Sequence, residues 1–234
     1  MTRLIAGGMS AAEAAQTTLA DSDMPAVAEP PIVGTLAEQL RTALDRFDGA
    51  SAHAVFDRLL ASVSVEAVVA DVVLPYLRDL GDRWAAGHAS VAQEHFGSTL
   101  IRGRLLSLAR DWDMGEGPSL LLACLPGEAH DIGLLAFGLL AARRGWRITF
   151  LGADTPLDTL RTSVETVRPQ LTVLVTINPA LVASNAKGIR ALASSIRSAI
   201  GGVSDERLVA RAGAAALPDD IVEAARSCHQ LLTA

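Results

Sequence analysis

From Thr35 to Asp111 the apolar residues recur with a helical period. Leu36, Leu40, Leu44 and Phe47 fall at i, i+4, i+8 and i+11, which places them on one face of an amphipathic helix. A second helix is expected over Ala52 to Ser62. A third is expected from Ser64 to Ala86, where Val65, Val68, Val69, Val72, Val73, Tyr76, Leu77 and Leu80 keep the stripe. Pro75 sits inside that third helix and should bend it. Ser90 followed by Gln93 has the form of a capping box opening a fourth helix that runs through Leu108. Four helices with short connections predict a four-helix bundle over 35–112.

The pattern changes around Met114-Gly115-Glu116-Gly117-Pro118. Ser119 to Leu125 is a continuous apolar run of strand length, as a buried parallel strand requires. A helix (Asp131 to Arg144), a strand (Arg147 to Leu151), a helix (Pro156 to Val167) and a strand (Leu171 to Ile177) are expected next. Helical sequence from Ala180 to Ile200, a strand over Leu208 to Ala212 and a terminal helix complete the reading. Strands alternating with helices predict an α/β domain over 118–234, a Rossmann-like (flavodoxin-like) doubly wound parallel sheet. Residues 1–34 read as a separate piece: a short helix capped by Ser10 with Glu13 three residues on, then a linker from Asp21 to Pro31.

Composition narrows the function classes. Half the residues are hydrophobic and a fifth charged, which excludes a disordered chain. The longest apolar run, Ile132 to Ala142, is far short of the ~20 residues a membrane helix needs. With 20 Lys+Arg against 26 Asp+Glu the net charge is −6, which argues against nucleic acid as the main partner. Cys124 and Cys228 lie in apolar settings and fit a reducing, cytoplasmic location. Cys228-His229 has no further ligands at metal spacing, and no P-loop, GxGxxG or Ser-His-Asp arrangement is present. Trp146, just ahead of a strand, reads as packing, and His53 and His88 read as surface residues.

Two places could carry chemistry. In an open α/β sheet the ligand sits beyond the carboxyl ends of the strands. The first such end is Pro126-Gly127-Glu128-Ala129-His130-Asp131-Ile132-Gly133. A carboxylate beside an imidazole accepts the N–H of one ring nitrogen and leaves the other to ligate a metal. Gly133 would let a bulky group approach the backbone. A helix-capping loop with a solvent-facing histidine is the alternative, and these eight residues alone do not decide between them. The second place is Trp84, followed after nine residues by Glu94-His95, with the turn around Gly87 bringing Trp84 and His95 to one side of the bundle. The dipole at the start of a helix keeps the His95 ring neutral, as a metal ligand must be. Taken singly, Trp84 also fits a core residue and Glu94-His95 a solvated helix face.

Together the two motifs resemble the cobalamin-binding photoreceptor modules of the CarH type. These join a four-helix bundle carrying Trp-x9-Glu-His to a Rossmann-like domain carrying Glu/Asp-x-His-x-x-Gly. Both stand here in order, Trp84 to His95 and Glu128 to Gly133. The resemblance implies a cobalamin held between bundle and sheet, in the adenosylcobalamin form. His130 would be the lower cobalt ligand, in the loop with Asp131 and Ile132, and Glu128 its partner. Trp84 and Val91 would line the space over the corrin, and Glu94 would hold the adenosyl group. After light breaks the cobalt–carbon bond, His95 would become the upper ligand, a two-state switch. Such a switch would act through a homo-oligomer or a downstream protein partner.

The sequence also departs from that pattern. Thr176, in Val175-Thr176-Ile177-Asn178, stands for the family's serine on the third strand. The family's paired glycines after the fourth strand are matched only by Ala212-Gly213 on this reading. Full-length members carry a MerR-type DNA-binding domain. None is recognisable in residues 1–34, so the chain is expected to be either a stand-alone sensor or a fragment of a longer regulator, and is not itself expected to bind DNA. Stand-alone members include the photocobilins, which bind a bilin as well, so biliverdin is a candidate second chromophore. Neither cysteine is an evident attachment point for it. The alternative class is a corrinoid carrier for a methyltransferase, which shares this domain pairing but must expose the upper face of cobalt. A domain that has lost its cofactor is the third, and the intact His130 and His95 speak against it.

Overall fold

The computed structural model describes residues 31–233, so the expected Ser10-capped helix and most of the linker lie outside the described residues. The helical half begins with α1 (Pro31–Asp45), four residues before the pattern predicts, with Pro31 at the first turn where its missing N–H costs no hydrogen bond. Phe47 departs from the expected stripe. It sits in the turn after α1 with φ 60° and is half-exposed, its ring tilted by 58° against that of Phe96 at 5.3 Å. α2 (Gly49–Ser62) is capped by the Asp48 carboxylate, which accepts from Ser51 N.

The third helical span starts as α3 (Val65–Ala67), widens into a π-helical stretch (Val68–Val73) and continues as α4 (Leu74–Ala85). Pro75 explains the widening. Its ring has no N–H to give and would collide with the carbonyl of Asp71, four residues back and inside the π stretch, so the turn opens instead of breaking. α5 (Val91–Leu108) opens with the expected capping box: Gln93 N donates to Ser90 Oγ at 3.2 Å and Ser90 N donates to Gln93 Oε1 at 3.0 Å. α1 packs on α2 and α5, and α4 packs on α5. The Asp45 carboxylate accepts from Arg83 of α4 while its carbonyl accepts from Gln93 of α5, tying three helices at one end.

The second half alternates β1 (Ser119–Cys124), α6 (Ile132–Ala142), β2 (Arg147–Gly152), α7 (Leu157–Val167), β3 (Leu171–Val175), α8 (Pro179–Ala193), β4 (Ser198–Gly201), α9 (Glu206–Arg211), β5 (Ala215–Ala216), α10 (Ile221–Ser227) and α11 (Gln230–Thr233). All five strands are parallel, in the order β2-β1-β3-β4-β5. Chain direction across the sheet reverses at β1, and the crevice at such a switch point is where ligands bind. The fold class is therefore as expected: an α/β parallel sheet behind a helical half.

Alternation along β1 divides the core. Leu120, Leu122 and Cys124 point into one cluster, shared with α6, α10 and the helical half, while Leu121, Ala123 and Leu125 point into another under α7, α8 and α9. α5 packs on α6, so helices and sheet share a continuous core.

Two expected elements are corrected. The helix predicted from Ala180 to Ile200 ends at Ala193, and Ser198–Gly201 is the fourth strand. The strand predicted over Leu208 to Ala212 is instead α9, because Asp205 caps it by accepting from Leu208 N at 2.9 Å. A consequence reaches the site: the glycines at the end of the fourth strand are Gly201 and Gly202, and Gly213 lies after α9. Trp146 is fully buried, as expected for packing, and its Nε1 donates to His229 Nδ1 at 3.1 Å. Among the described residues no helix is long and apolar enough to cross a membrane, and no group of three or more His, Cys, Asp or Glu could hold a metal ion.

Candidate functional site

The register places Cys124 beside Val175, so the loops leaving β1 and β3 emerge side by side. Gly127 turns the first loop with φ +86°, and its N donates to the Asp154 carboxylate at 2.7 Å. Asp154 N in turn donates to Glu128 O at 2.8 Å, so the loop after β2 braces the loop after β1.

Glu128 is only 3% exposed, and both of its carboxylate oxygens are engaged. Oε1 accepts from His130 N at 2.9 Å and meets His130 Nδ1 at 2.6 Å. Oε2 accepts from Thr176 Oγ1 at 2.8 Å and from Ile177 N at 2.9 Å. Burial by itself pushes the Glu128 pKa up, but the hydrogen bonds from His130, Ile177 and Thr176 outweigh it and hold the carboxyl below its ordinary value. The ionised carboxylate can only accept, so His130 Nδ1 carries a proton, and in the neutral ring Nε2 keeps the lone pair. The His130 side chain is 72% exposed, so that lone pair is open to a metal.

A cleft of about 1100 Å³ lies over this loop, between α4 and α5 on one side and the ends of the strands on the other. It is lined by Trp84, Glu94 and His95 from the helices and by His130, Asp131, Ile132 and Gly133 from the loop. The two motifs, which are far apart in sequence, therefore share a single cavity. Trp84 is 51% exposed there, too open for a core residue. The His95 side chain is 72% exposed, and its Nε2 lies 3.5 Å from Glu94 Oε2. A Cβ at Gly81 or Gly133, both in the lining, would meet nothing within 4 Å, so the floor and wall there are open.

The other expected site residues are placed differently. Thr176 is fully buried, does not line the cleft, and acts on the His130 loop through its hydrogen bond to Glu128. Asn178 is the N-cap of α8, its side chain accepting from Ala180 N at 3.0 Å. Val91 is exposed at the first turn of α5, outside the cleft lining. Gly213 is not among the residues that line the cleft. A Cβ there would face Arg190 and Ala193 of α8. Its place at the end of β4 is taken by Gly202, where φ is +82° and a Cβ would lie 2.6 Å from Thr176 O.

Sequence reasoning missed Arg102, whose Nη2 donates to Asp131 Oδ2 at 2.7 Å and whose Nε reaches Oδ1 at 3.1 Å. Its position seven residues after His95, two helical turns on, was the available signal. Asp154 was also missed. Both cysteines are fully buried, and burial, with the charges of Asp131 and Glu128 added for Cys124, pushes each thiol up to about 12.

Part of the chain is similar to cobalamin-binding proteins. Residues 36–108 match the family model of the B12 binding domain. The chain is 35% identical over 147 residues to the HTH-type transcriptional repressor CarH of Myxococcus xanthus, covering 63% of this chain and 49% of CarH. It is 38% identical over 151 residues to the HTH-type transcriptional repressor CarA of the same organism, covering 62% of this chain and 51% of CarA. The chain thus spans about half the length of the curated relatives it matches. In fold it is similar to the Methanosarcina barkeri monomethylamine corrinoid protein, with a TM-score of 0.71 at 17% identity over 85% of this chain and 99% of that one. Over this region the chain is CarH-like, and cobalamin binding is supported.

Proposed function

We propose that the chain is a cobalamin-binding light sensor rather than an enzyme. The observation that carries this reading is the convergence of Trp84, Glu94 and His95 with His130 on one cleft, because a cobalt held by His130 there would lie within the cavity that His95 also lines. When bound, adenosylcobalamin supplies a cobalt–carbon bond that visible light breaks. His130 would hold cobalt through Nε2, its ring fixed by Glu128. Trp84 and Glu94, which line the cleft, would hold the adenosyl group in the dark. Once the cobalt–carbon bond is broken, His95 would be the residue free to hold the cobalt. Occupancy by the adenosyl group and ligation by His95 would exclude each other, which would give the protein two states.

The same geometry weighs against a corrinoid carrier, whose upper face must stay open to partner enzymes, although the fold is shared with a corrinoid protein. A covalently attached bilin has no attachment residue in either buried cysteine. The output is a change in self-association or in the binding of a protein partner.

The test is reconstitution with adenosylcobalamin, followed by absorption spectra and size-exclusion runs in the dark and after green light. A new spectrum together with a shift in size supports the sensor. Binding with no light-dependent change in the protein supports the carrier instead.

A further inference from the structure

Four aspartates stand at helix N-caps among the described residues, and three of them behave alike. Asp48, Asp205 and Asp220 each accept from the amide three residues on, that of Ser51, Leu208 and Glu223. Asp131, at the N-cap of α6, does not. Its side chain makes no capping bond, and its backbone holds φ −94° and ψ −8°, where the other three have ψ between 82° and 120°. Its carboxylate is turned to Arg102 of α5, which donates from Nη2 at 2.7 Å and from Nε at 3.1 and 3.2 Å. The Asp131 side chain is only 10% exposed, while that of Arg102 is 41% exposed. At Gly152, at the end of β2, a Cβ would stand 3.6 Å from Asp131 Oδ2.

Asp131 directly follows His130, so its backbone angles set how the histidine loop enters α6. Resting on the cobalamin reading above, we infer that Arg102 is a positioning residue: by capturing Asp131 it keeps the His130 loop out of the helix-capping conformation and presents His130 to the cleft. Without the guanidinium, Asp131 has its own helix's amide, that of Leu134, as the competing partner. A capping bond there needs ψ of Asp131 to rotate, and that rotation re-aims the loop. The pair also spans the cleft. Arg102 and His95 lie two turns apart on α5, so any rigid shift of α5 that moves His95 draws on the loop that carries His130.

Hydrogen exchange of the Leu134 amide in the cofactor-free full chain, followed by NMR, tests this without the cofactor. Arg102→Gln should raise Leu134 protection several-fold. Asp131→Asn, which still offers a capping oxygen but forms no ion pair, should do the same. With adenosylcobalamin, Arg102→Gln should weaken binding about tenfold and shift the spectrum away from histidine ligation. Arg102→Lys, keeping the charge but not the fork, should fall between. Unchanged Leu134 protection in both Arg102→Gln and Asp131→Asn overturns the inference. If the wild-type chain binds no adenosylcobalamin, the proposed function fails, and the Leu134 protection alone still decides the role of Arg102.

Discussion

Glu128 grips His130 twice, its Oε1 accepting from the backbone N at 2.9 Å and meeting ring Nδ1 at 2.6 Å. A single oxygen thus fixes both the loop and the tautomer. Its partner oxygen accepts from Thr176 and Ile177, which anchors the ring to the end of β3. Glu128→Gln keeps the shape but puts an NH2 group where a donor must be accepted. It should lower cobalamin affinity 10- to 100-fold and cost about 1–3 kcal/mol of stability. Isothermal titration and chemical denaturation measure the two effects.

The same carboxyl predicts an acid limb in stability. Its folded pKa lies below the ordinary glutamate value of about 4.3, so its stabilising contribution is present above that pH. The contribution is lost as pH falls through the folded value. The melting temperature of the wild type should therefore drop more steeply below about pH 4.3 than that of Glu128→Gln. Parallel acid limbs for the two proteins would contradict the assignment.

In the proposed sensor His130 Nε2 would hold the cobalt. His130→Ala should weaken cobalamin binding or leave the cofactor ligated by its own base. An absorption spectrum and a titration check it, and an unchanged affinity and spectrum would remove His130 from that role.

Much of the site was legible because its signals are local. Glu128, His130 and Gly133 lie within six residues, and the Ser90–Gln93 capping box fixed where the His95 helix begins. The fourth strand was not legible. Ser198-Ala199-Ile200-Gly201 is four residues with one β-branched side chain, and it continues an apolar helical stripe. Leu208 and Val209 looked like a strand, but the Asp205 cap turns them into a helix, and the error carried the glycine pair to Gly213. Arg102 could have been placed on the His95 face of its helix, but its pairing with Asp131 could not be read, because it joins residues 29 apart through tertiary packing.

The corrected glycine makes its own prediction. Gly202 has φ +82° and no room, since a Cβ would sit 2.6 Å from Thr176 O. Gly202→Ala should displace Thr176, loosen Glu128 and weaken cobalamin binding. Gly213→Ala also meets a positive φ, of +84°, but ordinary contacts from 3.5 Å. It should cost about 1 kcal/mol of stability and leave cobalamin affinity unchanged. Equal effects of the two on binding would restore Gly213 to the site.

Helix contact behind the cleft depends on Gly97 of α5, where a Cβ would stand 2.5 Å from the Tyr76 hydroxyl and 3.2 Å from Leu80 Cδ2. That hydroxyl is buried with no hydrogen-bond partner among the described residues. Gly97→Ala should destabilise the chain by about 1–3 kcal/mol. Tyr76→Phe should be neutral or stabilising, because it removes an unsatisfied polar atom, and it should recover part of the Gly97→Ala loss. Denaturant midpoints of the two single variants and the double variant measure the coupling.

In the proposed sensor, ligation by His95 would distinguish the lit state from the dark one. The most direct measurement is the absorption spectrum of wild type and His95→Ala, each loaded with adenosylcobalamin, before and after green light. Both proteins should bind the cofactor alike in the dark, and only the wild type should settle into a stable histidine-ligated spectrum after illumination. The same lit spectrum in His95→Ala would remove His95 from the light response.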